Sequence, residues 1–333
     1  LKSKRQAKTF LDSTVTLSSG IRLAARIFPG NSKNSVPLFC IHGLTGNLRN
    51  FEPIARTLSK NGITVVTYDL RGRGNSDKPK SDYSARLHAE DLKQLANALG
   101  FSKISILSHS LGCWITLRFA EKYPELLSKA ILVDGGGELS VFRKISNLIM
   151  ISTSLSRLGR VAPSKEYYLS EARKSPILSA WNENIRNFLI YELESTGTLA
   201  TCFSSNGEKG PIGPVRCSLP PYVIESELRN MGGSMHLSRI PGIFFRNPSS
   251  MISILKDNRA LPYSALQCPV LVVRAGKPNF RSGDELLPDS AIERMKRKIP
   301  GMQLLDLKNL NHYEIVLLED ENRDKELIRF LKS

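Results

Sequence analysis

The sequence predicts an α/β fold: a mostly parallel sheet covered by helices on both faces and interrupted by one long insertion. Three observations predict it. From Pro37 onward, short apolar runs alternate with amphipathic helical segments. Those runs are apolar nearly throughout, the pattern of strands buried on both faces. The alternation stops near residue 135 and resumes at Pro269, in a chain of 333 residues, enough for one large domain plus an insertion.

The elements follow in order. The first eight residues hold four Lys or Arg and read as a loose basic tail. Thr14–Ser18 and Ile21–Phe28 alternate around Ser19-Gly20, which predicts an opening hairpin. Leu38–Ile41, Thr64–Leu70, Ile104–Leu107 and Ala130–Val133 read as strands. Phe51–Asn61 and Ser84–Leu99 read as helices that stop at Gly62 and Gly100, and a third helix runs through Tyr123. After the insertion come strand Pro269–Val273, helix Ala291–Lys298, strand Leu304–Leu307 and helix Glu321–Leu331. The core is thus expected over 1–135 and 265–333, with residues 136–264 as a mainly helical insertion. Inside it, Ser204–Pro221 is rich in Gly and Pro and reads as a long loop. Ile145–Leu158 carries Leu148, Ile149, Met150, Ile151 and Leu155, a face that either packs on the core or walls an apolar pocket. Trp114, Trp181, Tyr167, Tyr168 and Phe188 are candidates to line such a pocket.

Composition bounds the function. Apolar residues make up 41% and charged residues 23%, ordinary values for a globular protein. No stretch has the length and apolarity of a membrane-spanning helix. The net charge of +16 reads first as general solubility or a basic proteome, and otherwise suits an anionic membrane surface or acidic substrates. Nucleic acid is not expected, because the Lys and Arg are spread along the chain and no nucleic-acid-reading motif accompanies them. The five cysteines, Cys40, Cys113, Cys202, Cys217 and Cys268, form no C-x-x-C pair, so neither a zinc site nor a redox motif is expected. Cys202 and Cys217 would close a loop in an exported protein and stay free thiols in the cytosol. A cytoplasmic location is the expectation. The chain begins at Leu1 rather than Met, which leaves a preceding signal or anchor open.

The segment Ile104-Ser105-Ile106-Leu107-Ser108-His109-Ser110-Leu111-Gly112 carries the chemistry. A buried strand runs straight into a helix through Ser110. Such a corner holds a nucleophilic hydroxyl away from the backbone, with a helix N-terminus aimed at developing negative charge. The residues two places to either side must be small, and Ser108 and Gly112 meet that need. The usual pattern is G-x-S-x-G, so Ser108 departs from it mildly.

Two further motifs stand in the right order: Cys40-Ile41-His42-Gly43-Leu44-Thr45-Gly46-Asn47 after the earlier strand, and Asp69-Leu70-Arg71-Gly72-Arg73-Gly74-Asn75-Ser76-Asp77 after the next. With these the chain resembles the α/β-hydrolase superfamily, in its capped serine esterase and lipase-like branch, over nearly all of its length outside the insertion. The resemblance implies an α/β-hydrolase fold with the insertion as a cap. It implies that the backbone N–H groups of Leu44 and Leu111 form an oxyanion hole. His42, Arg71 and Ser76 are then residues that shape loops.

A serine hydroxyl needs a base. Of the five histidines, His88 is expected on a helix surface, His109 is the variable residue of the corner, and His236 lies in the insertion. His312 follows the last strand, at the end of a parallel sheet where α/β proteins place their chemistry, and the family carries its histidine there too. His312 is therefore the expected base. The acid is less direct. Many family members place it after strand Pro269–Val273, but that stretch reads Ala275-Gly276-Lys277-Pro278-Asn279, and Asn279 carries no charge. Asp134, at the tip of the preceding strand, is the expected acid, a position some superfamily members use. Asp284, five residues past the usual place, is the alternative.

These residues predict hydrolysis of a small-molecule carboxylic ester, with an apolar acyl group, through an acyl-enzyme and without cofactor or metal. The same triad would serve a lactone, a thioester or a carbon–carbon bond. Epoxide hydrolases and haloalkane dehalogenases share the fold but use Asp where this chain has Ser110. From another class, a low-turnover ligand receptor on the same scaffold is the competing expectation.

Overall fold

The structure, a computed structural model, describes residues 9–32, 35–139, 155, 157–197, 213–230, 261–280 and 282–333. In chain order the strands are β1 (Leu11–Thr16), β2 (Arg22–Phe28), β3 (Leu38–Ile41), β4 (Val65–Tyr68), β5 (Ile104–His109) and β6 (Leu127–Val133). Three short ones follow within the insertion, β7 (Val161–Ala162), β8 (Leu193–Ser195) and β9 (Val215–Cys217), before β10 (Val270–Ala275) and β11 (Gln303–Leu307). The described helices of the first half are α1 (Glu52–Lys60), α2 (Ala85–Ala98) and α3 (Leu111–Lys122). The insertion holds α4 (Lys165–Arg173), α5 (Glu183–Tyr191) and α6 (Pro221–Asn230). The last part holds α7 (Asp289–Lys298), α8 (Glu314–Leu317) and α9 (Glu321–Lys332).

The main sheet has the order β1-β2-β4-β3-β5-β6-β10-β11. The opening hairpin and the β2–β4 pair are antiparallel, and every pair from β4 to β11 is parallel. The parallel strands bury both faces, as their composition predicts. In β5, Ile104 and Ile106 join one core cluster and Leu107 the other; in β6, Ala130 and Leu132 split likewise from Ile131 and Val133. The first cluster is closed by α2, α3 and α7 through Leu92, Leu95, Ile115, Phe119, Ile292 and Met295. The second is closed by α1, α8 and α9 through Ile54, Leu58, Ile315, Leu327 and Phe330.

Helix ends follow local chemistry. Ser84 accepts the Leu87 N–H to start α2, and Asp320 accepts the Arg323 N–H at 2.7 Å to start α9. Gly62 (φ 90°) and Gly100 (φ 81°) end α1 and α2 in the left-handed region that favours glycine.

One expectation needs correction. The described part of the insertion holds three helices, and β7, β9 and β8 pair antiparallel into a small sheet beside them. The strand β9 falls inside the segment expected to be loop: Val215 and Cys217 are buried and Arg216 is exposed, a period of two hidden by flanking glycines and prolines. The apolar stretch 145–154, Cys202 and His236 lie outside the described residues. Among the described residues, no helix is long and apolar enough to cross a membrane.

Candidate active site

The strand ends converge on one rim. Ile41 is level with Ser108, and His109 with Val133, so the chain leaves β3, β5 and β6 at the same height. The N–H of Ser110 donates to Val133 O (3.1 Å) and that of Asp134 to Val273 O (2.8 Å), so each residue stands one step past its strand.

Ser110 carries the backbone strain of the corner, with φ 54° and ψ −115°. That conformation costs on the order of 1–3 kcal/mol for a residue with a Cβ. Three glycines let strand, helix and loop close tightly around that corner. A Cβ on Gly112 would lie 2.3 Å from Ile41 O, one on Gly135 2.6 Å from Ser110 O, and one on Gly43 3.1 Å from Ser110 Cβ. Ser108, where glycine is usual, is fully buried, and its hydroxyl donates to Ile131 O at 3.2 Å. The extra polar atom therefore has a partner on β6. The neighbouring Cys113 thiol is pushed up to about 12 by burial, so it is not a thiolate at neutral pH.

His312 lies in the loop after β11. Its Nδ1–H donates to Asp134 Oδ2 at 2.7 Å, both groups being buried. In the neutral ring this leaves the lone pair on Nε2. Asp134 Oδ1 accepts the Ala275 N–H at 3.3 Å. Asp134 has φ 44°, a left-handed conformation that aspartate tolerates better than most residues. Asp284 is placed differently. Its two oxygens accept the N–H groups of Asn279 and Phe280, each at 2.7 Å, and so tie up its own loop.

Sequence reasoning missed two supports of His312. Asn279, set aside for lacking charge, accepts the backbone N–H of His312 on Oδ1 at 3.1 Å. His109, treated as a variable residue, donates from Nε2 to the His312 carbonyl at 2.8 Å and packs its ring 4.3 Å from the His312 ring. Burial, with the nearby His312, holds His109 well below the usual histidine range, hence neutral. No local pattern announces either contact, because both partners lie far apart in sequence.

A pocket is lined by Gly43, Leu44, Thr45, Gly46, Asn50, His109, Ser110, Leu286, His312 and Tyr313. Ser110 and His312 thus share one concavity with the loop after β3. Leu111 opens α3, and the N–H groups of Leu44 and Leu111 donate to no protein group among the described residues. The loop itself is tied down. His42 accepts the Leu70 N–H on Nε2 at 3.1 Å and donates from Nδ1 to Gly43 O at 2.9 Å. Burial and the nearby Arg73 lower its pKa to about 3. Arg71 pairs with Asp91 of α2, and Ser76 donates to Asp69 O at 2.7 Å. None of the five aromatics expected in a pocket lines this one. Phe188 and Tyr168 are core residues, and Tyr167 is exposed.

One histidine overturns its expectation. His88 is fully buried rather than on the surface, and its Nε2–H donates to Glu227 Oε1 of α6 at 2.9 Å. Its spacing to Leu92 and Leu95 does place it on the apolar face of α2, a signal the sequence carried. Among the described residues no group of His, Cys, Asp and Glu is arranged to hold a metal.

Residues 36–156 match the family model described as alpha/beta hydrolase fold. An uncharacterized protein of Mycobacterium tuberculosis is 31% identical over 150 residues, 44% of this chain and 42% of that protein. Lipase 1 of Psychrobacter immobilis is 36% identical over 127 residues, 37% of this chain and 38% of the lipase. The chain therefore spans less than half the length of these curated relatives. Among solved structures, E-2-(acetamidomethylene)succinate hydrolase is similar with a TM-score of 0.71 and 21% identity, covering 97% of this chain and all of that one. At that identity the likeness speaks for the fold. Strand order, the family match over residues 36–156 and structural likeness agree that the chain has the α/β-hydrolase fold.

Proposed function

We propose that this protein is a serine hydrolase that cleaves a carboxylic ester through an acyl-enzyme. The observation that carries the reading is the 2.7 Å bond from His312 Nδ1 to buried Asp134, beside the pocket that His312 and the strained Ser110 both line.

His312 Nε2 takes the Ser110 proton as Oγ attacks the ester carbonyl carbon. Asp134 keeps the imidazole in the tautomer that leaves Nε2 free and stabilises the imidazolium that forms. The carbonyl oxygen becomes an oxyanion, bound by the N–H groups of Leu44 and Leu111. His312 then gives its proton to the leaving alkoxide as the tetrahedral adduct collapses. In the second half, water attacks the acyl carbon with His312 again as base, and the carboxylic acid leaves. Every proton moves between Ser110, His312, the alkoxide and water.

Leu44, Leu286 and Tyr313 give the pocket apolar walls, which supports an apolar acyl group in a small-molecule ester. The lipase among the relatives points the same way. A panel of p-nitrophenyl esters of increasing chain length tests the reading. Turnover that rises and then falls with acyl length is expected. No turnover of any ester, with turnover of a lactone or thioester, would move the substrate class while keeping the triad.

A further inference from the structure

We propose that Glu227, carried by α6 of the insertion, is a positioning residue for the oxyanion loop, acting through Arg73 and the carbonyl of Leu44. The inference rests on the serine-hydrolase reading above.

The chain of contacts is short and buried. Arg73 donates from Nη2 and Nε to Leu44 O, at 2.8 and 3.2 Å. The same Nη2 pairs with Glu227 Oε2, and the other carboxylate oxygen accepts His88 Nε2–H at 2.9 Å. Arg73, Glu227 and His88 are each no more than 1% exposed. Burial alone would raise the Glu227 pKa, but Arg73 and His88 outweigh it and hold the carboxyl below its ordinary value. A charged pair this deep is weakly screened, so its geometry is held stiffly.

The carbonyl and the N–H of Leu44 belong to adjacent peptide planes that meet at its Cα. Anchoring the carbonyl limits how far the N–H swings, and that N–H is the proposed oxyanion donor. The anchor is useful only if it is itself fixed, and α6 is fixed to the core at several points. Tyr222 donates to Lys78 O and Asn230 to Asp82 Oδ1, each at 2.7 Å. Val223 packs so closely on the loop after β4 that a Cβ on Gly72 would lie 2.7 Å from it. The seating of the insertion is thereby coupled to the geometry of the oxyanion loop.

The test compares wild type, Glu227→Gln and the double variant Arg73→Met with Glu227→Met, which removes both members of the buried Arg73–Glu227 pair together. Turnover of a p-nitrophenyl ester is read beside inhibition by a trifluoromethyl ketone, whose serine adduct presents an oxyanion to the loop. Loss of a whole oxyanion donor costs roughly 10²–10³ in kcat, so a misplaced one should cost roughly 10- to 100-fold. KM should move by less than about threefold, and the ketone Ki should rise in step with the loss in kcat. A double variant that melts like wild type and keeps wild-type kcat and Ki would overturn the proposal. A folded wild type without turnover would instead overturn the hydrolase reading on which it rests.

Discussion

Position 134 joins two demands that few side chains satisfy together. Its backbone is left-handed (φ 44°), and its fully buried carboxylate must accept the His312 Nδ1–H. Asparagine tolerates the same backbone, so Asp134→Asn keeps the turn and removes only the charge. In a Ser-His-Asp triad that change misorients the imidazole, and kcat should fall by roughly 10⁴-fold. Asp284→Asn should keep turnover within a few-fold and cost about 1 kcal/mol of stability, because it weakens two backbone contacts of its own loop. Steady-state kinetics beside thermal melts separate the two. Near-wild-type turnover in Asp134→Asn, with loss in Asp284→Asn, would reverse the assignment. The sequence favoured Asp134 over Asp284 by position alone and kept both open, since each follows a strand of the right kind. The supports from Asn279 and His109 were equally out of reach, because they depend on which loops meet across the rim.

At the scale of elements, the corner between β5 and α3 is shaped from outside as much as by its own residues. Gly135, one residue past Asp134, presses against Ser110, and a Cβ there would lie 2.6 Å from Ser110 O and 2.8 Å from its Cα. Both are backbone atoms, which cannot turn aside as a side chain can. Gly135→Ala should therefore displace the corner, lowering kcat by at least roughly 10-fold and stability by about 1–3 kcal/mol. Full activity with an unchanged melting temperature would refute that close approach. The parallel strands were legible because burial on both faces imposes continuous apolar runs. The β9 strand was not, because three residues between glycines and prolines offer too short a period to see. His88 was misread because a polar residue on an apolar helix face becomes sensible only once its partner, Glu227 of α6, is brought against it.

Across the whole molecule, the sheet order brings residues from 44 to 312 to one rim, and no single segment holds the site. On the proposed reading, this rim makes Ser110 alone nucleophilic. Labelling of the intact, folded protein with a fluorophosphonate probe, read by mass spectrometry of its peptides, tests this. One label is expected, on the peptide containing Ser110, absent in Ser110→Ala. No label on protein that also turns over no ester, or a label that survives Ser110→Ala, would contradict it.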